Sequence, residues 1–159
     1  MRPVLVCSIG ALENTGLDVE WLASDAEGYV ALFSSRGGAI PPDAVLQDLD
    51  THLRAIEALL AGPVLTRPLF APPAPANDHW RAMTERGLFV YHCAPGGGAY
   101  RLAAAPEIPI RALELPEIAG LLVEALRFDQ LRFRHVHSVT PDVLLAYCPT
   151  TVITPPFIE

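Results

Sequence analysis

Between Asp18 and Gly38 the chain reads DVEWLASDAEGYVALFSSRGG, and this stretch limits the available folds more than any other. Val19, Trp21 and Ala23 alternate with Glu20, Leu22 and Ser24, the two-residue period of a strand. DAEG interrupts them, and YVALFSS resumes a run rich in β-formers. Aspartate at the first turn position and glycine at the fourth suit a type I turn closed by a left-handed glycine. A hairpin is therefore expected here, with Asp25 and Glu27 forming an acidic tip turned to solvent.

The pattern then changes period. From Asp43 to Ala61 the apolar residues Val45, Leu46, Leu49, Leu53, Ile56, Leu59 and Leu60 fall on one side of a helix, which Gly62-Pro63 ends. Asp43, Asp50 and Glu57 recur every seven residues beside that face, with Arg54 four residues after Asp50. Residues 63–77 hold five prolines and suit neither helix nor central strand, so a loop or extended arm is expected. NDHWRAMTERG predicts a short helix capped by Asn77 or Asp78 and ended by Gly87. LFVYHCAPGGGAYRLAAAP predicts a second hairpin. A second long helix is expected over Pro116–Phe128, with Ile118, Leu121, Leu122, Ala125 and Leu126 facing inward. LRFRHVHSV alternates like a strand, and DVLLAYC is a candidate for one more. Hairpins separated by helices predict an α+β fold, a single domain over residues 1–159, with a mainly antiparallel sheet and two long packed helices.

At 159 residues, with 51% hydrophobic and 18% charged, the chain suits one domain with a substantial core. No apolar run reaches the roughly 18 residues of a membrane span, so no membrane is expected as partner. MRPVLVCSIGA invites a signal-segment reading, but Ser8, Gly10 and Ala11 equally suit the end of a first strand. Cys7, Cys93 and Cys148 are odd in number and lack CxxC spacing, which favours reduced thiols and a cytoplasmic location.

All 11 basic residues are arginine, and the net charge of −7 is uneven. Residues 1–57 carry nine acids against Arg2, Arg36 and Arg54, a balance of −6; the remainder carries nine acids and eight arginines, a balance of −1. Such a chain is poorly suited to nucleic acid, whose recognition rests on cationic contacts to phosphate. Its N-terminal half suits a basic partner.

His135 and His137 offer the sharpest chemical signal. In a strand, residues two apart share a side, so two imidazoles there could hold a metal with a third ligand from His92, Cys93 or Asp129. Neither His92 nor Cys93 is paired by adjacency, since strand neighbours point to opposite faces. APGGGAY lacks the phosphate-loop pattern, and Ser24, Ser34, Ser35 and Ser138 lie in no nucleophile elbow. Trp21 and Trp80 suit the core or its rim.

Trp21, Asp25, Gly28, Val30, Ala31, Phe33, Ser34, Ser35, Gly37, Gly38 and Pro41 together resemble the opening of a group of small bacterial proteins. Some of these belong with secreted polymorphic toxins as cognate immunity proteins. The resemblance covers about 25 residues closely and the later LFVYHCAP…YRLAAAP hairpin loosely, is a hairpin pattern, and carries no functional residue with it. It implies a non-catalytic inhibitor of a cognate protein toxin, needing no cofactor. With the charge pattern, it makes Asp25, Glu27, Asp43, Asp50 and Glu57 the expected partner-binding face. Two alternatives stand beside it. One is a small metal-dependent or Cys/His enzyme using His135 with His137, or Cys93. The other is a structural or regulatory subunit that self-associates through the 63–77 arm; monomer and weak homodimer are both compatible with the sequence.

Overall fold

The computed structural model describes residues 19–35, 41–70, 77–93, 98–140 and 143–144. The expected N-terminal segment and the DVLLAYC strand, apart from two residues, lie outside these, as do Cys7 and Cys148. Described residues build one mixed sheet flanked by helices, the α+β architecture expected.

β1 (Glu20–Asp25) and β2 (Val30–Ser34) pair antiparallel as the first hairpin, with Trp21 opposite Phe33 and Ala23 opposite Ala31. The turn closes as its sequence requires. The N–H of Gly28 donates to the Asp25 carbonyl at 3.1 Å, and Gly28 takes φ 85°, open to glycine at little cost. β4 (Phe89–Cys93) and β5 (Tyr100–Pro106) form the second hairpin. β3 (Pro68–Phe70) adds antiparallel to β5 as an edge strand, so the proline-rich arm includes a strand where proline is tolerated. Residues 71–76 of that arm lie outside the described ones.

With β6 at Arg127–Phe128, the sheet order is β3-β5-β4-β2-β1-β6, and β7 (Ser138–Val139) also pairs with β5. Four of the pairings are antiparallel, but the central one, β2 to β4, is parallel, as is β1 to β6 (Arg127–Phe128). A parallel neighbour requires a crossover, and the chain from Asp43 to Glu85 provides it.

The first expected helix is two. α1 (Asp43–Leu46) stops at Gln47, and α2 (Leu49–Leu60) starts after Asp48, whose φ −143° is not helical. The Asp48 carbonyl accepts from Thr51 and His52 N–H, and its carboxylate accepts the Thr51 hydroxyl at 2.6 Å. The break has a packing cause. Val45 packs into the core on one sheet face, with Trp21 and Phe33, whereas Ala55, Ile56 and Leu59 pack on the other, with Leu22 and Leu32. A straight helix cannot serve both faces. Asp43 therefore sits on a different helix from Asp50 and Glu57, and their seven-residue stripe is interrupted.

α3 (Asp78–Glu85) is capped as expected, the Asn77 side chain accepting from Trp80 N–H at 3.1 Å. The second long helix is shorter than expected: α4 covers Glu117–Ala125, and Arg127–Phe128 are strand β6. The inward faces also differ. Leu53 and Leu121 are exposed, while His52, Ala119 and Val123 are buried. The segment EIAGLLVEA is apolar nearly all round, so periodicity alone does not choose its buried side; the small residues Ala119 and Gly120 do. A Cβ built on Gly120 would lie 3.3 Å from the Ala112 carbonyl oxygen, within the tight turn Ala112–Glu114.

Both sheet faces are buried. Leu22, Leu32 and Val90 meet α2, α3 and α4 on one. On the other, Trp21 stacks on Phe33 (centroids 4.3 Å, 12° apart) and Phe33 on Tyr91 (5.2 Å, 12°), with Phe128 and Phe133 edge-on. Such ring pairs add about 1 kcal/mol each beyond their buried area. Among the described residues, no helix is long and apolar enough to cross a membrane.

Candidate functional site

The hairpin tip is not the free acidic surface that the local sequence suggests. Asp25 is completely buried. One of its carboxylate oxygens accepts from the N–H groups of Glu27 and Tyr29, both at 2.9 Å, and the other from Phe133 N–H at 2.8 Å. Three arginines from the C-terminal half close around the turn. Arg111 donates to the Glu27 carbonyl at 2.6 Å, Arg127 to the Ala26 carbonyl at 2.9 Å, and Arg134 to both Glu27 carboxylate oxygens at 3.3 and 3.2 Å. The guanidinium groups of Arg111 and Arg134 also lie 4.7 and 5.5 Å from the centre of the Tyr29 ring. The hydrogen bond from Arg134 holds the Glu27 carboxyl below its ordinary range despite some desolvation. Asp25 is thus removed from the expected partner face, and Glu27 is engaged within the chain. A tight turn points its carbonyls outward, and here arginines satisfy them.

The other expected acids separate. Asp43 is half-buried on α1, with interactions of its own. Asp50 and Glu57 are exposed on α2, Asp50 joined to Arg54 at 2.6 Å. A set that sequence reasoning did not group with them completes this side of the molecule. α2 and α4 share one core through Ile56, Leu59, Ala119 and Val123, and each turns an acid–leucine–acid row outward. These rows are Asp50, Leu53 and Glu57 on α2, and Glu117, Leu121 and Glu124 on α4. Glu57, Glu117 and Glu124 make no ion pair with another described residue. The signal was present as i, i+3/i+4, i+7 spacing, but its outward direction was set by packing.

The histidine pair does not lie in a strand. Phe133–His135 form a turn in which His135 N–H donates to the Arg132 carbonyl at 2.8 Å, and β7 begins only at Ser138. Leu131 and Phe133 enter the core, and His135 and His137 are exposed. Burial of Phe133 beneath the β1–β2 tip pulls this segment out of strand geometry. His92 lies beside Trp80 under α3, ring centroids 5.0 Å apart, and Asp129 is exposed just after β6. Cys93 points to the opposite face, its thiol 3.8 Å from the Gly98 carbonyl and pushed up in pKa by burial. Among the described residues, no three His, Cys, Asp or Glu side chains are placed to hold a metal.

One polar arrangement escaped the sequence reading altogether. Glu20 is opposite Ser34, Ser34 opposite His92, and His92 opposite Arg101, a row across four strands. By strand alternation the row shares the face of Leu22, Leu32 and Val90, the helical one. Ser34 and His92 stand towards the carboxyl ends of parallel β2 and β4. Above them, the His79 ring of α3 lies 2.7 Å from the Glu20 carboxylate. That hydrogen bond raises the His79 pKa against partial desolvation. The row ties α3 to the sheet end, and only the register brings it together.

His52 is a further buried titratable group on this face. Its Nδ1 accepts the Leu22 N–H at 3.1 Å, on the edge of β1 not paired with β2, and burial lowers its pKa to about 4. The neutral ring is therefore the folded form near neutral pH, with its remaining proton on Nε2.

Compared with known proteins, the chain matches no family model, no curated protein and no solved structure.

Proposed function

We propose that this chain is a non-catalytic binding protein that neutralises a basic protein partner, in the manner of an immunity protein acting on its cognate toxin. The observation that carries the reading is the outward face of α2 and α4, where Asp50, Glu57, Glu117 and Glu124 are exposed and the two helices themselves carry one arginine, Arg54, held by Asp50. A concentrated negative field accelerates encounter with a cationic surface, and complementary charge sets register. The face replaces the hairpin tip as the docking surface, because Asp25 and Glu27 are spent on the fold. The resemblance of the Trp21–Pro41 stretch to small bacterial proteins, some of which are immunity proteins, supports the same reading.

The test is protection. Cells producing the product of the adjacent reading frame should lose viability and regain it when this chain is co-produced. A Glu57→Arg/Glu117→Arg/Glu124→Arg variant should fold normally and protect poorly. An adjacent product that is harmless, or a variant that protects fully, would overturn the reading.

A second reading, self-association, has one observation in its favour. Val64, Leu65 and Leu69 in the arm and Ile108 after β5 are more than half exposed at one sheet corner, joined by the bond from Ile108 N–H to the Thr66 hydroxyl. Pro68 has no N–H to offer along that edge, so side chains rather than strand pairing would make the contact. Sedimentation that is independent of concentration would remove this reading.

A further inference from the structure

We propose that Leu53, Leu113 and Leu121 anchor a docking groove for a basic amphipathic helix of the partner. The inference rests on the reading of the α2–α4 face as the partner surface and adds what the partner must present there.

These leucines are 56, 91 and 66% exposed. Leu53 and Leu121 stand on helices whose other apolar side chains Ile56, Leu59 and Val123 are buried in the shared core. Leu113 and Leu121 follow directly on Ala112 and Gly120, where a Cβ on the glycine would lie 3.3 Å from the Ala112 carbonyl oxygen. The three exposed leucines thus belong to three elements that pack together, α2 on α4 and α4 on the tight turn. An exposed leucine alone is ordinary; three on packed elements, two of them bracketed by acids along their helices, suit the apolar centre and charged rim of an interface.

The flanking charges select the occupant. Asp50 and Glu57 bracket Leu53 along α2, and Glu117 and Glu124 bracket Leu121 along α4. A second copy of this chain would bring the same carboxylates against themselves, which costs affinity. A helix with leucine-like residues at i, i+3/i+4 and i+7 and arginine or lysine beside them satisfies both features, with its apolar stripe between α2 and α4 and its cations towards the rim. Rim charges govern how fast such a complex forms, and the buried anchors govern how long it lasts.

The probe is a synthetic helix about four turns long, with leucine along one face and arginine along the other, compared with a peptide of equal charge whose leucines are alanine. Binding to the full chain is followed by fluorescence anisotropy at two salt concentrations. The leucine peptide should bind more tightly and dissociate more slowly, and Leu53→Ser/Leu121→Ser should weaken it by about tenfold or more. The substituted side chains are exposed, so the melting temperature should not fall, which separates lost binding from lost folding. Equal affinity for the two peptides, or a double variant that binds like the parent, overturns the groove and leaves the charge-based reading standing. If neither peptide binds at low salt, both fail. Concentration-dependent dimerisation abolished by the same double substitution would assign the leucines to a second copy, and would also overturn the proposal.

Discussion

The Asp25 carboxylate accepts the backbone N–H of Phe133 at 2.8 Å, across 108 residues of chain. One acid at a hairpin turn thereby sets the turn, through Glu27 and Tyr29, and fastens it to the segment that carries Phe133 into the aromatic core.

Removing that acceptor should be among the most damaging single changes in the molecule. Asp25→Ala strands three N–H groups, of which Phe133's is fully buried, at a combined cost of roughly 3 kcal/mol or more. Asp25→Asn should cost less, because one amide oxygen still serves the turn. Urea unfolding of the two variants checks the order; a loss below about 1 kcal/mol for Asp25→Ala would contradict the role assigned to it.

His52 should make the protein acid-sensitive. Its pKa is about 4 in the folded chain against an ordinary 6.5, so the unfolded state binds more protons between these values. The stability due to neutral His52 is complete above pH 6.5 and is lost as pH falls through about 4, amounting to roughly 3 kcal/mol. Chemical denaturation between pH 7 and pH 4 should show this slope, and His52→Gln should flatten it. An unchanged slope in the variant would place the acid sensitivity elsewhere.

His79 should act in the opposite sense. Its hydrogen bond to Glu20 raises its pKa, so its contribution is full below the unfolded value of 6.5 and disappears as pH rises through the higher folded one. An NMR titration should find the His79 ring titrating above an ordinary histidine, and Glu20→Gln should bring it back down. A ring unaffected by that substitution would refute the pairing.

Two glycines with positive φ should respond differently to alanine. Gly87 has φ 94°, and a Cβ there would lie 2.7 Å from the Ile110 Cβ, whereas Gly98 has φ 104° and nothing within 4 Å. Gly98→Ala should cost about 1 kcal/mol in backbone conformation alone. Gly87→Ala adds a clash with the backbone and side chain of half-buried Ile110 and should cost at least twice as much. Equal melting temperatures for the two variants would show that the Ile110 segment moves aside freely.

Legibility followed the range of the interaction. The first hairpin, its Gly28 turn, the Asn77 cap and the second hairpin depend on residues only a few positions apart, and their chemistry stands in the sequence. The break at Asp48 was not legible, because it answers to two cores on opposite sheet faces rather than to any breaker residue. Nor were the directions of Leu53 and Leu121. Apolar residues surround α4, and the close approach of Gly120 to Ala112 chose the side it buries.

By itself, the sequence determined the two hairpins, the helical character of the segments between and after them, the α+β class, and the acidic balance of the first 57 residues, since period, turn chemistry and charge are local or additive quantities. The tertiary structure alone decided which acids reach solvent. Asp25 is drawn inward by Phe133 and Glu27 is paired at the surface by Arg134, both partners more than 100 residues away, while Glu57, Glu117 and Glu124 are left outside because their helices bury the opposite side. The parallel pairing of β2 with β4 and the Glu20–Ser34–His92–Arg101 row likewise follow from register between distant strands, where neither propensity nor spacing leaves a trace.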